Sequence, residues 1–466
     1  MTRRVEREGA SSGGAADQTR PPEPQAAPPD PATLLRSAGY LRLLVLGAVL
    51  GVPISAVAYG FLALVALLQH GLYTALPRAL GLSSAPWWWP VPPLVLAGLL
   101  VGAVIRFLPG RGGHSPADGF HAGGPPDPVA LPGIALAALA SLVAGAVIGP
   151  EAPLIALGGG LAVCAVRLTR RPMEPSAMGV VGATGSFAAI STLLGSPLLG
   201  AFLLMEASGL GGPMLGLVLL PGLLASGLGA LIFVGLGRWT GLGTFSLALP
   251  DIPGFAEPDL AQFAWAIAIG VIAAFFGTGI RWLALRVRSV VEPRLMLAVP
   301  IAGLCVAALA IGYAAATGHP VSDVLFSGQD AMDPLLVHSA GYTGGALLLL
   351  LAAKGLGYAV SLAAFRGGPI FPAMFLGAAL GVLLSHLPGL PLVAGAAMGI
   401  GAMSVTMLRL PITSVMLATL LLLADGLAVM PLVIVAVVVA HVVTARLTPP
   451  QPDAVPDRPA HSSGPR

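Results

Sequence analysis

Five ionisable side chains lie inside long apolar stretches of the sequence, where they are the residues best placed to do chemistry. A charge in such a stretch costs at least about 2.5 kcal/mol unless it has a partner or lines water, so it marks a functional site. These residues are Glu151, Glu206, Lys354, Arg366 and Asp425, and His441 is a polar residue of the last apolar stretch. Lys354, the single lysine, lies near the middle of its stretch, which predicts an internal electrostatic role.

Glu151 stands in the segment GPEAP, which predicts the start of a helix. Pro153 favours the first helical turn, and Gly149 allows the chain to bend before it. Unpaired N–H groups and the helix dipole stabilise a carboxylate at such a position, so Glu151 could simply cap its own helix. Alternatively, the same N–H groups bind a permeant anion when the carboxylate leaves, which would make Glu151 a gate.

The segment RGGPIFP contains a second predicted helix start. Its paired glycines, the second of which is Gly368, allow the backbone to approach a ligand closely. Pro369 is suited to begin a helix, which leaves the N–H groups of Ile370 and Phe371 free to point inward. The alternative is a tight loop between two packed helices.

The segment GGHSP, with Gly113, His114 and Ser115, is a third candidate helix start, although an ordinary surface turn would have the same composition. Little other charge lies within the apolar stretches. Three helix N-termini with one glutamate therefore predict an anion site built from backbone dipoles of about half a charge each. Such dipoles bind an anion weakly enough to release it, as transport requires.

The composition predicts that these segments belong to an all-α polytopic membrane protein. Of the 466 residues, 56% are hydrophobic and 9% are charged, and the mean hydropathy is +0.90. A soluble domain carries about a quarter charged residues, so a soluble enzyme is excluded. The apolar stretches are continuous rather than alternating, which argues against a β-barrel. The net charge of +3 is spread over short loops and tails, and we expect no nucleic-acid partner, no metal and no cofactor.

A weak internal repeat is visible. Gly185 precedes Pro197 by twelve residues, and Gly399 precedes Pro411 by twelve residues. A predicted interrupted helix start lies upstream of each pair. Interrupted segments at matching positions of two halves are typical of transporters whose site lies between the halves.

Composition also predicts the domain boundaries. Residues 1–34 and 447–466 are polar and rich in proline, which predicts disordered tails. The basic N-terminal tail and arginine-bearing connections favour the cytoplasm for both termini. Residues 35–446 form the predicted transmembrane domain, with repeat halves at about 38–240 and 257–446.

These segments together resemble the signature helix starts of the CLC family of chloride channels and chloride/proton antiporters. GPEAP resembles the motif that carries the family's gating glutamate, which falls on Glu151, and GGPIFPAMFLGAALG resembles a second motif through Gly377. GGHSP is similar to a further motif only in its glycine and proline. GSPLLGAFLLMEASG resembles the helix after the glutamate motif, and the resemblance covers about residues 38–446.

The resemblance implies a CLC-type bundle of two inverted repeats with interrupted helices, assembled as a homodimer. Helix N-termini would hold chloride or a similar small anion near mid-membrane, with Glu151 as the gate. The implied anion-binding residues are Gly113, His114, Ser115, Gly149, Gly368, Ile370 and Phe371. The antiporters' internal proton glutamate aligns with Ala207, and Glu206 lies one residue earlier, about 100° around the helix. Glu206 is therefore a candidate for a proton path.

Two interpretations of the transport mode stay open at this point. One is passive or gated movement of anions, and the other is chloride/proton exchange in which Glu151 also carries the proton. A cation-coupled solute transporter is a remote alternative. The sequence contains neither DDxxD nor HExxH, so we expect no intramembrane enzyme. The arginine-dominated, alanine-, glycine- and proline-rich composition favours the inner membrane of a bacterium.

Overall fold

The computed structural model describes most of the predicted membrane domain. The described residues are 35–120, 124–170, 173–208, 213–241, 254–255, 257–422 and 426–448. Asp425, the predicted N-terminal tail and the C-terminal tail beyond Thr448 lie outside them.

The described chain is almost entirely helical. Among the described residues, extended pairing is limited to one antiparallel bridge, between Gly149 and Gly368. The helices of nine or more residues are α1 (Ala38–His70), α2 (Val91–Phe107), α3 (Leu131–Ala144), α4 (Glu151–Leu168), α5 (Pro175–Leu194), α6 (Pro197–Ser208), α7 (Pro213–Thr240), α8 (Leu260–Val291), α9 (Leu295–Thr317), α10 (Gln329–Val337), α11 (Gly344–Ala364), α12 (Ile370–Ser385), α13 (Leu392–Leu408), α14 (Pro411–Leu421) and α15 (Gly426–Leu447).

The helices make this chain a multi-pass membrane protein. Seven helical stretches among the described residues are long and apolar enough to cross a bilayer. Leu231, Leu297 and Leu348 are largely exposed, as side chains that face lipid tails would be. Helix α12 has 16 residues and a length of about 24 Å, less than the bilayer core of about 30 Å. The prediction of an all-α polytopic protein with interrupted helices is confirmed.

The same packing arrangement occurs twice along the chain. Helices α4 and α5 cross where Gly158 meets Gly185, and helices α12 and α13 cross where Gly377 meets Gly399. In each case the first glycine is the eighth residue of an interrupted helix. A helix that begins at a proline follows each crossing, α6 in the first case and α14 in the second. This order agrees with the predicted repeat, and the exact limits of the two halves stay a prediction.

Helices α11, α12 and α13 form the centre of the core. All residues from Ile370 to Val382 are buried, and so are those from Val393 to Leu408. A helix that is apolar on all sides must be surrounded by other helices, and α12 has α10, α11 and α13 against it. The N-terminus of α12 therefore lies inside protein, where its N–H groups are shielded from lipid.

The substitution Gly377→Ala is expected to destabilise the bundle, because the new Cβ would collide with the carbonyl oxygen of Gly399. Backbone cannot rotate away as a side chain can, and overpacking of this kind costs about 1–3 kcal/mol. The melting temperature of the detergent-solubilised protein measures the loss. Gly312→Ala in α9 is the matched control, because its Cβ would enter open space. Equal melting temperatures of the two variants would contradict the packing described here.

Candidate functional site

Two loops that precede helices lie side by side in the interior. They are the 145–150 loop, between α3 and α4, and the 365–369 loop, between α11 and α12. The N–H of Gly149 donates to the carbonyl of Gly368 at 2.8 Å, and the N–H of Gly368 donates back to Gly149 at 2.6 Å. Buried backbone groups need such partners, since lipid supplies none. The bridge thus sets the starts of α4 and α12 next to each other.

The Glu151 side chain crosses from its own helix to the neighbouring one. It is fully buried, and its Oε1 accepts a hydrogen bond of 2.7 Å from the backbone N–H of Phe371. The N–H groups of Glu151 itself and of Ile370 also face the carboxylate. Its Oε2 is buried and has no hydrogen-bond partner among the described residues. The carboxylate therefore contacts the N-terminus of α12, where unpaired N–H groups and the dipole favour negative charge.

Gly149 and Gly368 provide the space for this carboxylate. A Cβ at position 368 would overlap Oε2 of Glu151, and a Cβ at position 149 would overlap both carboxylate oxygens. Both residues were predicted to bind an anion, but the bridge already uses both of their N–H groups. Their contribution is close approach rather than hydrogen-bond donation. The N–H groups that face the carboxylate are those of Ile370, Phe371 and Glu151 itself.

Residues 113–115, which belong to the third predicted helix start, reach the same region through a cavity of about 1120 Å³. The cavity lies against the beginnings of α4 and α12, beside the Gly149–Gly368 bridge. Its lining includes Gly113, His114, Ser115, Ala152, Gly367 and Pro369. The hydroxyl oxygen of Ser115 is buried without a hydrogen-bond partner in the described part of the chain. All three predicted segments thus contribute to one region. The prediction that the third segment starts a helix is wrong, because only a three-residue 3-10 turn, Pro116–Asp118, follows it.

Helix α11 holds both loops through side chains that sequence reasoning missed. Ser361 Oγ accepts a hydrogen bond of 3.0 Å from the N–H of Val147, and the Tyr358 hydroxyl donates to the carbonyl of Pro369 at 2.7 Å. Tyr358 lies four residues after Lys354, and Ser361 lies three residues after Tyr358, a spacing that puts all three on one helix face. Three polar residues at helical spacing within an apolar stretch are the sequence signal that could have indicated this face.

Lys354 begins this polar face and is fully buried, which confirms that it is internal rather than at the surface. The three N–H donors of its ammonium group are shared among the backbone carbonyls of residues 323–326, which lie 2.9 to 3.4 Å from Nζ. The N–H of Phe326 in turn donates to the carbonyl of Gly145 at 3.1 Å. Lys354 therefore fixes a segment that contacts the beginning of the 145–150 loop.

Glu206 connects α6 to the N-terminus of α14. Its carboxylate accepts hydrogen bonds from the N–H groups of Ile412 at 2.9 Å and Thr413 at 2.8 Å, and from the Thr413 hydroxyl at 2.7 Å. Its role in a proton path stays a prediction.

His441, the polar residue of the last apolar stretch, lies partly buried on α15.

Comparison with known proteins supplies the family. The family model described as "Voltage gated chloride channel" matches residues 97–445. The chain belongs to this family, the CLC proteins. The ion-transport proteins named YfeO in Escherichia coli O1:K1 and in Shigella boydii serotype 4 are each 30% identical over 353 residues, covering 73% of this chain and 79% of the relative.

Solved structures of CLC proteins have the same fold. A structure described as a slow cyanobacterial Cl⁻/H⁺ antiporter gives a TM-score of 0.73 at 19% identity, covering 87% of this chain and 95% of that one. A CLC-type fluoride/proton antiporter gives a TM-score of 0.67 at 19% identity, covering 87% and 96%. The predicted fold class and family are confirmed.

The substitution Ser361→Ala is expected to destabilise the protein, because it leaves the buried N–H of Val147 without an acceptor. An orphaned buried donor costs about 1–3 kcal/mol. Thermal unfolding in detergent measures the change. Ser385→Ala is the matched control, because that hydroxyl bonds only within its own helix, to Val382. A Ser361→Ala variant as stable as the control would remove Ser361 from the role of loop anchor.

Proposed function

We propose that this protein moves chloride or a similar small anion across the membrane and that Glu151 gates the path. The observation that carries the proposal is the 2.7 Å hydrogen bond from the Phe371 N–H to Oε1 of Glu151 at the N-terminus of α12. A carboxylate oxygen in that position occupies a place suited to an anion. Membership of the CLC family supports transport of anions as the general activity.

The gate acts by competition for the same N–H groups. While the carboxylate contacts Phe371, an anion cannot bind there. When the carboxylate rotates away or gains a proton, it gives up the N-terminus of α12 and a permeant anion takes its place. Oε2 supports this step, since it has no hydrogen bond to the described residues that must be broken. Backbone dipoles, rather than a ring of fixed cations, then hold the anion weakly enough for release.

The remaining parts of the proposal follow the family pattern. Gly113, His114 and Ser115 form the approach through the cavity, Ile370 and Phe371 supply N–H donors, and Gly149 and Gly368 supply space. We place the protein as a homodimer in the inner membrane with both termini in the cytoplasm. The arginines of the short connections support that orientation.

Chloride/proton exchange is the second candidate, because the group at the proposed gate is itself able to carry a proton. Two structurally similar proteins are described as proton-coupled antiporters, of chloride and of fluoride. The reversal potential of purified protein in liposomes under a pH gradient separates the two modes. A reversal potential that shifts with the gradient supports exchange, and one that follows the anion gradient alone supports a channel.

The substitution Glu151→Ala is expected to raise anion flux several-fold and to remove its dependence on pH, because the competing carboxylate is gone. Efflux from liposomes loaded with chloride, measured between pH 4.5 and pH 7.5, is the assay, with Glu257→Gln as control because Glu257 is exposed outside the helices. Flux that is abolished, or that equals wild type at every pH, would exclude Glu151 as the gate.

A further inference from the structure

The connection between α9 and α10 contains a segment, residues 323–326, that is held by a buried cation. The Lys354 ammonium of α11 lies among the carbonyls of this segment, and the carbonyl of Asp323 is the nearest at 2.9 Å. The ammonium also lies over the Phe375 ring of α12, 4.4 Å from its centroid. Carbonyl oxygens and an aromatic face both attract a cation, more strongly where water is absent. Lys354 therefore joins the segment to α11 and to α12.

The side chain of Asp323 fixes the same point a second time. Asp323 is buried, and its Oδ2 accepts hydrogen bonds from the hydroxyls of Tyr342 at 2.9 Å and Tyr313 at 3.4 Å. The imidazole of His319 stacks on the Tyr342 ring, with the ring centroids 4.0 Å apart. The carboxylate also attracts the Lys354 ammonium. A buried charge needs such partners, so Asp323 is restrained by its side chain as well as by its carbonyl.

The last residue of the segment, Phe326, has a backbone conformation that bulky residues rarely adopt. Its φ is 60°, in the left-handed region. Such a conformation costs free energy and persists only where the surroundings impose it. Here the N–H of Phe326 donates to the carbonyl of Gly145 at 3.1 Å, and its own carbonyl faces Lys354. The ring packs edge to face on Tyr73, whose hydroxyl donates to the carbonyl of Ala144 at 2.7 Å. These contacts join the segment to the end of α3 and the loop that follows it.

The path from Lys354 to Glu151 is mechanical rather than electrostatic. In the described part of the chain, the two side chains share neither a hydrogen bond nor an ion pair. Instead, the loop that begins at Gly145 continues to Gly149, which carries one half of the backbone bridge, and Glu151 follows two residues later. A displacement of the segment is therefore transmitted to the start of α4.

We propose that Lys354 is a positioning residue for the Glu151 gate. By holding the segment 323–326 it restrains the 145–150 loop, and the loop keeps the Glu151 carboxylate in contact with the N-terminus of α12. The four carbonyls and the Phe375 ring form a site for a primary ammonium group, which the lysine side chain fills. An ammonium group offers three N–H donors and a positive charge to this site. The inference rests on the proposed function, because it concerns what holds that gate closed.

The substitution Lys354→Ala tests this role by chemical rescue. It removes the side chain beyond Cβ, and n-propylammonium supplies the same heavy atoms. Chloride flux from liposomes at pH 7.5 is expected to rise several-fold, because the loosened loop frees the carboxylate more often. Adding n-propylammonium should restore the wild-type flux, whereas tetramethylammonium, which has the charge but no N–H donor, should not. Leu356→Ala, a truncation at an exposed position of α11, is the matched control that neither ion should affect.

A double variant separates positioning from a general loss of structure. In the Glu151→Ala background, Lys354→Ala should leave flux unchanged, because no carboxylate remains to be positioned. A rise of flux in that background would overturn the role. So would a Lys354→Ala flux that equals wild type or that n-propylammonium does not restore. Failure of Glu151→Ala itself to change flux would instead remove the proposed gate.

A second measurement depends neither on transport nor on the folding of Lys354→Ala. Tyr342→Phe removes one hydroxyl from Asp323 and keeps the ring, so it is expected to loosen the segment without unfolding the protein. Amide hydrogen exchange of residues 145–150 in the detergent-solubilised protein should become several-fold faster. Tyr40→Phe, which loses a hydrogen bond to the carbonyl of Gly216 instead, is the control. Equal exchange in the two variants would overturn the link between the segment and the loop, whatever the flux assays show about the gate.

Discussion

The pair of backbone hydrogen bonds between Gly149 and Gly368 is the constraint on which the rest of the structure depends. Each bond satisfies a polar group that lipid could not satisfy. Together they lock the beginning of α4 against the beginning of α12, although the two helices are more than 200 residues apart in sequence. Only with that alignment can the side chain of one helix reach the N-terminal N–H of the other. The site consists of residues from the 145–150 and 365–369 loops and the helices that follow them, and the bridge holds these two segments together.

The surrounding helices support this bridge at fixed points. Along one face of α11, Tyr358 holds the 365–369 loop and Ser361 holds the 145–150 loop, while Lys354 fixes the neighbouring segment 323–326. The glycine crossings of α4 with α5 and of α12 with α13 bring helix backbones close without side chains between them. Rigid helices with tight crossings keep the geometry of the proposed gate, in which Oε1 of Glu151 accepts a hydrogen bond from Phe371 and Oε2 has no partner among the described residues.

Much of the fold could be predicted from the sequence, because long apolar stretches and proline- or glycine-marked helix starts are local signals. Both interrupted helices begin where proline and glycine indicated, and Glu151 stands at the start of α4. The partner of its carboxylate could not be predicted. A local view gives the carboxylate only the N–H groups of its own helix, whereas packing adds the N–H groups of Phe371 and Ile370 from α12.

The roles of other residues depended on tertiary contacts in the same way. Gly149 and Gly368 were expected to be anion-binding residues, but the N–H of each donates to the carbonyl of the other, a tertiary pairing that the sequence does not show. In the sequence, Tyr358 and Ser361 are two polar residues of an apolar stretch. Only their contacts with the two loops show that they hold those loops in place. Two ion pairs, Asp118 with Arg288 and Asp127 with Arg167, likewise join segments distant in sequence.

In the proposed gate, the Glu151 carboxylate occupies the place of an anion at the N-terminus of α12. Anomalous diffraction from crystals of Glu151→Gln grown in bromide tests it most directly. A bromide peak within hydrogen-bond distance of the Phe371 N–H, where the carboxylate oxygen lies in the wild type, is the result we predict. An ordered bromide elsewhere in the bundle, with the Phe371 N–H empty of any anion, would contradict the claim.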